Sequence, residues 1–365
     1  MIYITFTRIV FMRPKHLITC IISLIIFEYA YGCTTFVLSD EKGHIVFGKN
    51  FDFPIAEGHI QINYKNTEKT SFFSPPEIPL TWVSKYGSIT FNQAGREFPY
   101  GGINEAGLVI EQMWLQETKY PGPDHRHGLN ELQWIQYQLD NFATVNEVIQ
   151  SDSLVRISTM AVSYLHFLVS DASGNVAAIE YIDGNMLVRK NDDLPYKVLA
   201  NCTYQHSLDY KTSIGNNKAE DHNEWTKNSS GRFARAAGLI QDYSEKDDII
   251  DYSFNILDSV SQPGNTQWSI VYDPVNLKVY YKSSLRPERQ MIDMRLIDFS
   301  CREQNLYIPV DERFSGIDHF RNLTCEDNLR MLELIVNGIE FLKNAVSPDY
   351  MSSSAEYYKG VTCID

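Results

Sequence analysis

The run Thr34 to Ser39 and the run His44 to Lys49 are dense in β-branched and aromatic residues, and the polar stretch Asp40-Glu41-Lys42-Gly43 separates them. Two such runs about a turn predict a β-hairpin. With the turn centred between Glu41 and Lys42, Ser39 faces His44 and Cys33 faces Asn50. Asp52 then lies diagonally across from Cys33 on one face, and Lys49 falls on the other. Further apolar runs predict strands at Ser88 to Phe91, Leu108 to Trp114, Leu168 to Ser170, Val176 to Tyr181, Met186 to Arg189, Val198 to Asn201, Gln267 to Tyr272 and Lys278 to Lys282. Several of them are joined through Gly or Asn turns, which makes the sheets antiparallel.

Helical spacing replaces alternation in four places. Asn130 to Asn141, with Phe142 following, carries Leu132, Ile135, Leu139 and Phe142 on one stripe, and Thr144-x-x-Glu147 reads as a capping box for a second helix. Phe233 to Tyr243 is a third. Thr324-x-x-Asp327 caps a fourth, with Leu329, Leu332, Val336 and Ile339 along one face. The polar stretch Asp209 to Ser230 reads as a long surface loop. Strands packed with helices in groups give an α+β layered fold. No linker composition divides residues 33–365, which read as one domain.

Ahead of that domain the pattern changes. Arg8, Arg13 and Lys15 precede an apolar run from Leu17 to Phe27, and Ala30-Tyr31-Gly32 place small residues three and one positions before Cys33. This order is a signal peptide over residues 1–32, with export to the periplasm or the exterior. The run is too short to span a bilayer, so no stable membrane insertion is expected. The formal charge of −14 becomes −16 when the segment leaves with three basic residues and one acidic residue. An acidic chain of ordinary globular composition argues against nucleic acid and anionic membranes and for a small-molecule partner. A homo-oligomer is compatible with the same composition. Five cysteines follow residue 32, an odd count; Cys301, Cys325 and Cys363 lie near the C-terminal end, where a bridge would leave one thiol of the three free.

Removal of residues 1–32 makes Cys33 the N-terminus. Such a residue carries a nucleophilic thiol and a free α-amine whose ordinary pKa values lie near 8.5 and 8. The amine can take the thiol proton and later deliver it to a leaving amine, so no histidine is needed. Asp52, diagonally across the hairpin, can hold that amine.

These residues resemble a family. Cys33-Thr34-Thr35-Phe36, Phe47-Gly48-Lys49-Asn50-Phe51-Asp52, Gly102-Ile103-Asn104-Glu105-Ala106-Gly107-Leu108, Val198-Leu199-Ala200-Asn201 and Gly231-Arg232-Phe233 occur in the order and at the spacing found in the choloylglycine hydrolases, or linear amide C–N hydrolases. This family of N-terminal nucleophile hydrolases includes bile salt hydrolases and penicillin V acylases. The resemblance implies a four-layer αββα sandwich, two antiparallel sheets flanked by helices, and no cofactor or metal. It implies Cys33 as nucleophile, Asp52 as the carboxylate that holds its amine, Asn201 as side-chain donor of the oxyanion hole and Arg232 as an organising cation. Trp114 stands where the family has Asn or Tyr, at the position whose backbone N–H completes that hole, and Lys49 stands where the family usually has Arg. A planar fork is thereby exchanged for a point charge. Phe51, Phe53 and Trp114 are the candidate substrate-binding residues, although aromatic residues at such places are more often core.

Each of these residues also has a plainer use. Asn201-Cys202-Thr203 fits a glycosylation acceptor, Arg232 at a helix start can pair with a neighbouring carboxylate, and Asp52 can end a strand. The expectation is an exported cysteine hydrolase that cleaves linear, non-peptide N-acyl amides, such as conjugated bile salts, penicillin V or N-acyl amines, through an acyl-enzyme. Acyl transfer on the same fold is the alternative within enzymes. A binding protein anchored by a lipid on Cys33 is the alternative outside them.

Overall fold

The computed structural model describes residues 32–214, 224–302 and 304–364, so the predicted signal peptide lies outside the described residues up to Tyr31. Two antiparallel sheets form the centre. One has six strands in the order Val198–Leu199, Thr34–Ser39 (β1), Ile45–Asp52 (β2), Thr266–Asp273, Lys278–Ser283 and Gln290–Asp293. The other has nine, with Leu165–Ser170, Val109–Trp114, Gly101–Asn104 and Ser88–Asn92 adjacent at its middle. Helices Glu224–Gln241 and Ile249–Ser259 cover the outer side of the first sheet, and helix Glu131–Asn141 covers the outer side of the second. This is the αββα sandwich.

A strand inside such a sandwich buries both faces, which is why its sequence runs apolar instead of alternating. In Leu165–Ser170, Phe167 and Val169 join the core under helix Glu131–Asn141, while Leu168 joins the core between the sheets. Every residue of β2 is buried, including Lys49, Asn50 and Asp52. Polar groups in such a place cost several kcal/mol each, on the order of 2–7, unless they are partnered. Phe36 and Phe47, neither exposed at all, each contribute about 1.5–3 kcal/mol by burial. Phe36 crosses directly over its partner Gly48, where a Cβ would lie 2.3 Å from the ring.

The hairpin departs from the expected register by one residue. Ser39 pairs with Ile45, Thr35 with Lys49 and Thr34 with Asn50. The turn is the cause: Asp40 N–H donates to His44 C=O at 2.9 Å, and Gly43 stands at φ +81°, which makes a three-residue loop with a left-handed glycine. The Asp40 carboxylate steadies it by accepting from Lys42 N–H at 2.9 Å and His44 N–H at 2.8 Å. A slip of one residue reverses every side chain, so Lys49 shares the face of Thr35 and, by alternation, of Cys33, whereas Asp52 shares that of Asn50 and Thr34 and not, as expected from the ideal register, that of Cys33. No bulge is needed to bring it there.

Asp209 to Ser230 is a second correction. Its first part belongs to helix Tyr204–Ile214 and its last to helix Glu224–Gln241; its polar residues include the solvent face of the second helix, where Lys227 and Glu224 pair at 3.7 Å. Arg232 therefore sits inside a helix and does not begin one. Strand His59–Asn63 and helix Ile249–Ser259 were not expected. Both expected capping boxes are present, Thr144 with Glu147 and Thr324 with Asp327. Cys301 is bridged to Cys363, and Cys325 stays outside the disulfide. No helix among the described residues is long and apolar enough to cross a membrane.

Candidate active site

Cys33 precedes β1 and is 5% exposed. Burial pushes its thiol pKa up; Lys49 opposes this, Asp52 adds to it, and a hydrogen bond from the Asp52 backbone and the charge of Arg232 pull it back. Asp52 closes β2, where the ladder to Thr266–Asp273 shifts register between Thr266 and Trp268. Its carboxylate accepts from Thr266 Oγ1 at 2.5 Å and from Gln262 Nε2 at 2.6 Å. Burial raises the Asp52 pKa, and Arg232, Thr266, Gln262 and Lys49 work against that rise. Gln262 Nε2 also donates to Gly32 C=O at 2.7 Å, so one side chain ties Asp52 to the backbone at the Gly32–Cys33 junction.

Arg232 reaches across from its helix. Nη1 donates to Cys33 C=O and to Thr34 Oγ1, each at 2.6 Å, and Nη2 donates to Asn201 Oδ1 at 3.0 Å. Burial lowers its pKa, and Asp52 and Cys33 resist that. With Oδ1 held by a cation, the orientation of the Asn201 amide is fixed: Nδ2 donates one hydrogen to Trp114 C=O at 2.9 Å and keeps a second. Gly32 sits close between these groups: a Cβ there would lie 2.2 Å from Arg232 Nη2 and 3.0 Å from Asn201 Oδ1, so the guanidinium would have to shift.

Lys49 crosses from β2 to the second sheet, where it donates to Gln112 C=O and faces Glu111 at 3.5 Å. Glu111 is pushed up to about 7 by burial, against the pull of Lys49 and of Tyr272, whose O–H donates to it at 2.5 Å. Gly101, the cross-strand partner of Glu111, leaves room for it: a Cβ on Gly101 would meet the carboxylate at 2.2 Å.

Cys33 and Asp52 open into a cavity of about 820 Å³. Phe51, Phe53 and Trp114 line it, as expected, and so does Tyr100, which the sequence reading missed. Phe51 stacks on Trp268 at 4.4 Å and meets Phe53 at 5.3 Å and Tyr100 at 5.4 Å, so it serves as core and as wall together. Trp114 is only half buried. Its ring meets Tyr164 at 5.4 Å. Also missed were Gln262, Thr266 and Glu111; the first two lie in or beside an ordinary Pro-Gly turn, and only Glu111, an acid within an apolar strand run, carried a visible signal. The described residues hold no cluster of side chains suited to a metal ion.

The likeness of the chain to known proteins extends over most of its length. The profile of the linear amide C-N hydrolases, choloylglycine hydrolase family, matches residues 33–267. The penicillin V acylase of Pectobacterium atrosepticum is 28% identical over 325 residues, covering 74% of this chain and 83% of that protein. The structure of penicillin V acylase from Agrobacterium tumefaciens superposes with a TM-score of 0.65 at 27% identity, covering 80% of this chain and 98% of that one. A mutant conjugated bile acid hydrolase from Clostridium perfringens shares the fold, with a TM-score of 0.61 at 18% identity over 78% of this chain and 97% of that chain. The chain belongs to the choloylglycine hydrolase family of linear amide C–N hydrolases, and it is penicillin V acylase-like.

Proposed function

We propose that residues 1–32 direct export to the periplasm or the exterior and are then removed, and that Cys33, as the new N-terminus, hydrolyses the amide of a small N-acyl substrate with an apolar acyl group. One observation carries this reading: Cys33 and Asp52 meet at an apolar cavity, while Gly32 fills the gap between Arg232 and Asn201. Departure of Gly32 frees that gap. It also turns the Cys33 amide into an amine beside the Asp52 carboxylate. A thiol whose pKa burial has raised needs a nearby base, and the amine is one.

In the first step the amine takes the Cys33 proton, the sulfur bonds to the substrate carbonyl carbon, and the oxygen becomes an oxyanion. The free Nδ2 hydrogen of Asn201 and the backbone N–H of Trp114 are the donors for it. Arg232 keeps the Asn201 amide facing that way, and Lys49 supplies positive potential to the thiolate. Collapse breaks the C–N bond as the ammonium protonates the leaving nitrogen. Water then adds to the thioester, giving its proton to the amine, and the acid leaves as the thiol is restored. Lipid attachment at Cys33 is disfavoured by its packing within the core.

Penicillin V is the first probe, on the strength of the relatives' names. The Cys33→Ala protein should not cleave it, and Cys33→Ser should be severely slowed. An acid-quenched reaction should carry the acyl group on Cys33, and the active protein should begin at Cys33. Asn201→Ala should lower kcat on the order of a hundredfold with the fold kept. Retained turnover in pure Cys33→Ala would remove the nucleophile from the mechanism.

A further inference from the structure

A large part of the cavity wall comes from a region far along the chain from Cys33. Helices Cys325–Gly338 and Glu340–Ala345, with Ile339 between them, contribute Leu332, Ile335, Val336, Ile339, Phe341 and Leu342 to it. All six are apolar, and all lie beyond residue 267, where the family match stops. The buried face of the first helix is Asn328, Met331, Leu332, Ile335 and Val336, turned slightly from the face expected by spacing, so part of what reads as a core stripe is pocket wall.

This C-terminal unit is tied firmly to the body. Asn328 accepts from Arg96 N–H at 3.0 Å and donates to Ala355 C=O at 2.9 Å. Tyr350, on the last helix Pro348–Glu356, accepts from Asn130 Nδ2 at 3.0 Å. Beyond it, strand Thr362–Cys363 pairs with Thr67–Thr70, and Cys363 is bridged to Cys301. Phe341, 40% exposed, meets the Trp114 ring at 5.3 Å, and the Trp114 carbonyl is the group that holds Asn201. The unit therefore touches the strand that bears the candidate oxyanion hole.

We infer that these C-terminal helices decide which acyl groups the site accepts: they close an apolar compartment for a long aliphatic chain, and Val336 and Phe341 set how much of that chain is held. The inference rests on the amide-hydrolase reading above and names its substrate class. A volume of about 820 Å³ lies toward the upper end of small-molecule sites, roughly 300–1,000 Å³, more than a compact aryl group fills. Two buried polar groups on the wall are committed within the protein: Asn130 caps its own helix and holds Tyr350, and Glu131 accepts from the N–H groups of Val162 and Ser163. Gln112, Gln116 and Glu340 also line the cavity, the last two exposed to solvent. Most of the remaining wall is apolar surface, which rewards each methylene by about fourfold.

The test is a series of glycine amides carrying hexanoyl, octanoyl, decanoyl, dodecanoyl and hexadecanoyl groups, with kcat/KM read for each on the processed enzyme. For wild type it should rise by about sixteenfold for each added pair of methylenes until the compartment is full. Val336→Trp, which fills the compartment, should move the optimum to a shorter chain. Phe341→Ala, which opens the rim, should cut the dodecanoyl to hexanoyl ratio by about tenfold. The ratio is taken within each enzyme, so altered expression does not disturb it. Should Val336→Trp fail to fold, the half-exposed Phe341 decides the matter alone. A flat wild-type profile, or variants that keep the wild-type profile, overturns the inference and leaves the hydrolase reading standing. A processed wild type inert toward every chain and toward penicillin V overturns the hydrolase reading itself, and this inference with it.

Discussion

Two lysines in this protein sit in strands with only 1% of the side chain exposed, and they are treated very differently. Lys69, in the small sheet formed by Thr67–Thr70, Thr81–Val83 and Thr362–Cys363, has both Glu97 and Asp140 as ion-pair partners, the latter at 3.0 Å. Asp140 in turn accepts from Trp82 Nε1 at 2.9 Å and Gln136 Nε2 at 2.8 Å. Burial pushes the Lys69 ammonium down, but Asp140 and Glu97 outweigh it and hold its pKa above the ordinary value. Lys49 has a backbone carbonyl and one carboxylate, Glu111, which lies 3.5 Å away and is itself pulled up to about 7. The first cation is surrounded by compensation; the second keeps part of its field for a neighbour, and that neighbour is Cys33. On the proposed mechanism, incomplete compensation is what separates a buried charge placed for chemistry from one placed for structure.

The largest effect expected from breaking this comparison is on stability. Lys69→Met leaves Glu97 and Asp140 facing each other in the interior, a loss of about 3–5 kcal/mol for an unpartnered buried charge. Chemical denaturation should show it, while kcat of the molecules that remain folded should stay near wild type. A Lys69→Met protein as stable as wild type would mean that its cluster is no more committed than that of Lys49.

Lys49→Met should do the reverse. Its carboxylate partner already tends toward the neutral form, so the loss of stability should be small, on the order of 1 kcal/mol. The Cys33 thiol, deprived of a cation, should titrate higher, and alkylation of Cys33 near neutral pH should slow by about tenfold. Lys49→Arg should recover most of the rate, since guanidinium can still donate to Gln112 C=O and face Glu111. Equal alkylation rates in Lys49→Met and wild type would detach Lys49 from the nucleophile.

How far these roles could be read from the chain depends on the physics that sets each one. The layered fold was legible because strands buried on both faces must run apolar, and the capping boxes because Thr144 and Thr324 carry their acids at the required spacing. The clustering of Cys33, Asp52, Asn201 and Arg232 was legible through resemblance, and the structure brings them together. Lys49 was put on the wrong face because one residue of loop length, set by the left-handed Gly43, decides the face of everything after it. The Asp209 to Ser230 stretch misled for another reason: helices on a surface are half polar, and polarity alone does not distinguish them from loops. Gln262 and the C-terminal wall of the cavity were invisible because each acts through contacts more than two hundred residues away in sequence, as Gln262 does with Gly32 and Asp52.

The effect that most sharpens the comparison is carried by Glu111. Its carboxyl has an ordinary value of 4.5 and is raised to about 7 in the folded protein by burial, so between those values the folded chain keeps a proton that the unfolded chain has lost. Folding stability from this group is therefore fully present below about pH 4.5 and falls as pH rises through about 7. Glu111→Gln fixes the side chain in the shape of the neutral form, and Tyr272 can still donate to it. The variant should lose that fall, so that its stability relative to wild type rises between those two pH values by an amount on the order of 1–3 kcal/mol. The same substitution removes the only carboxylate within 4 Å of Lys49 among the described residues, which leaves more of the lysine's field at Cys33 and should move the alkylation profile of the thiol toward lower pH. Denaturation and alkylation measured across that range on both proteins test the two halves separately. Parallel stability curves would show that Glu111 is ionised throughout, and would make Lys49 as fully compensated as Lys69.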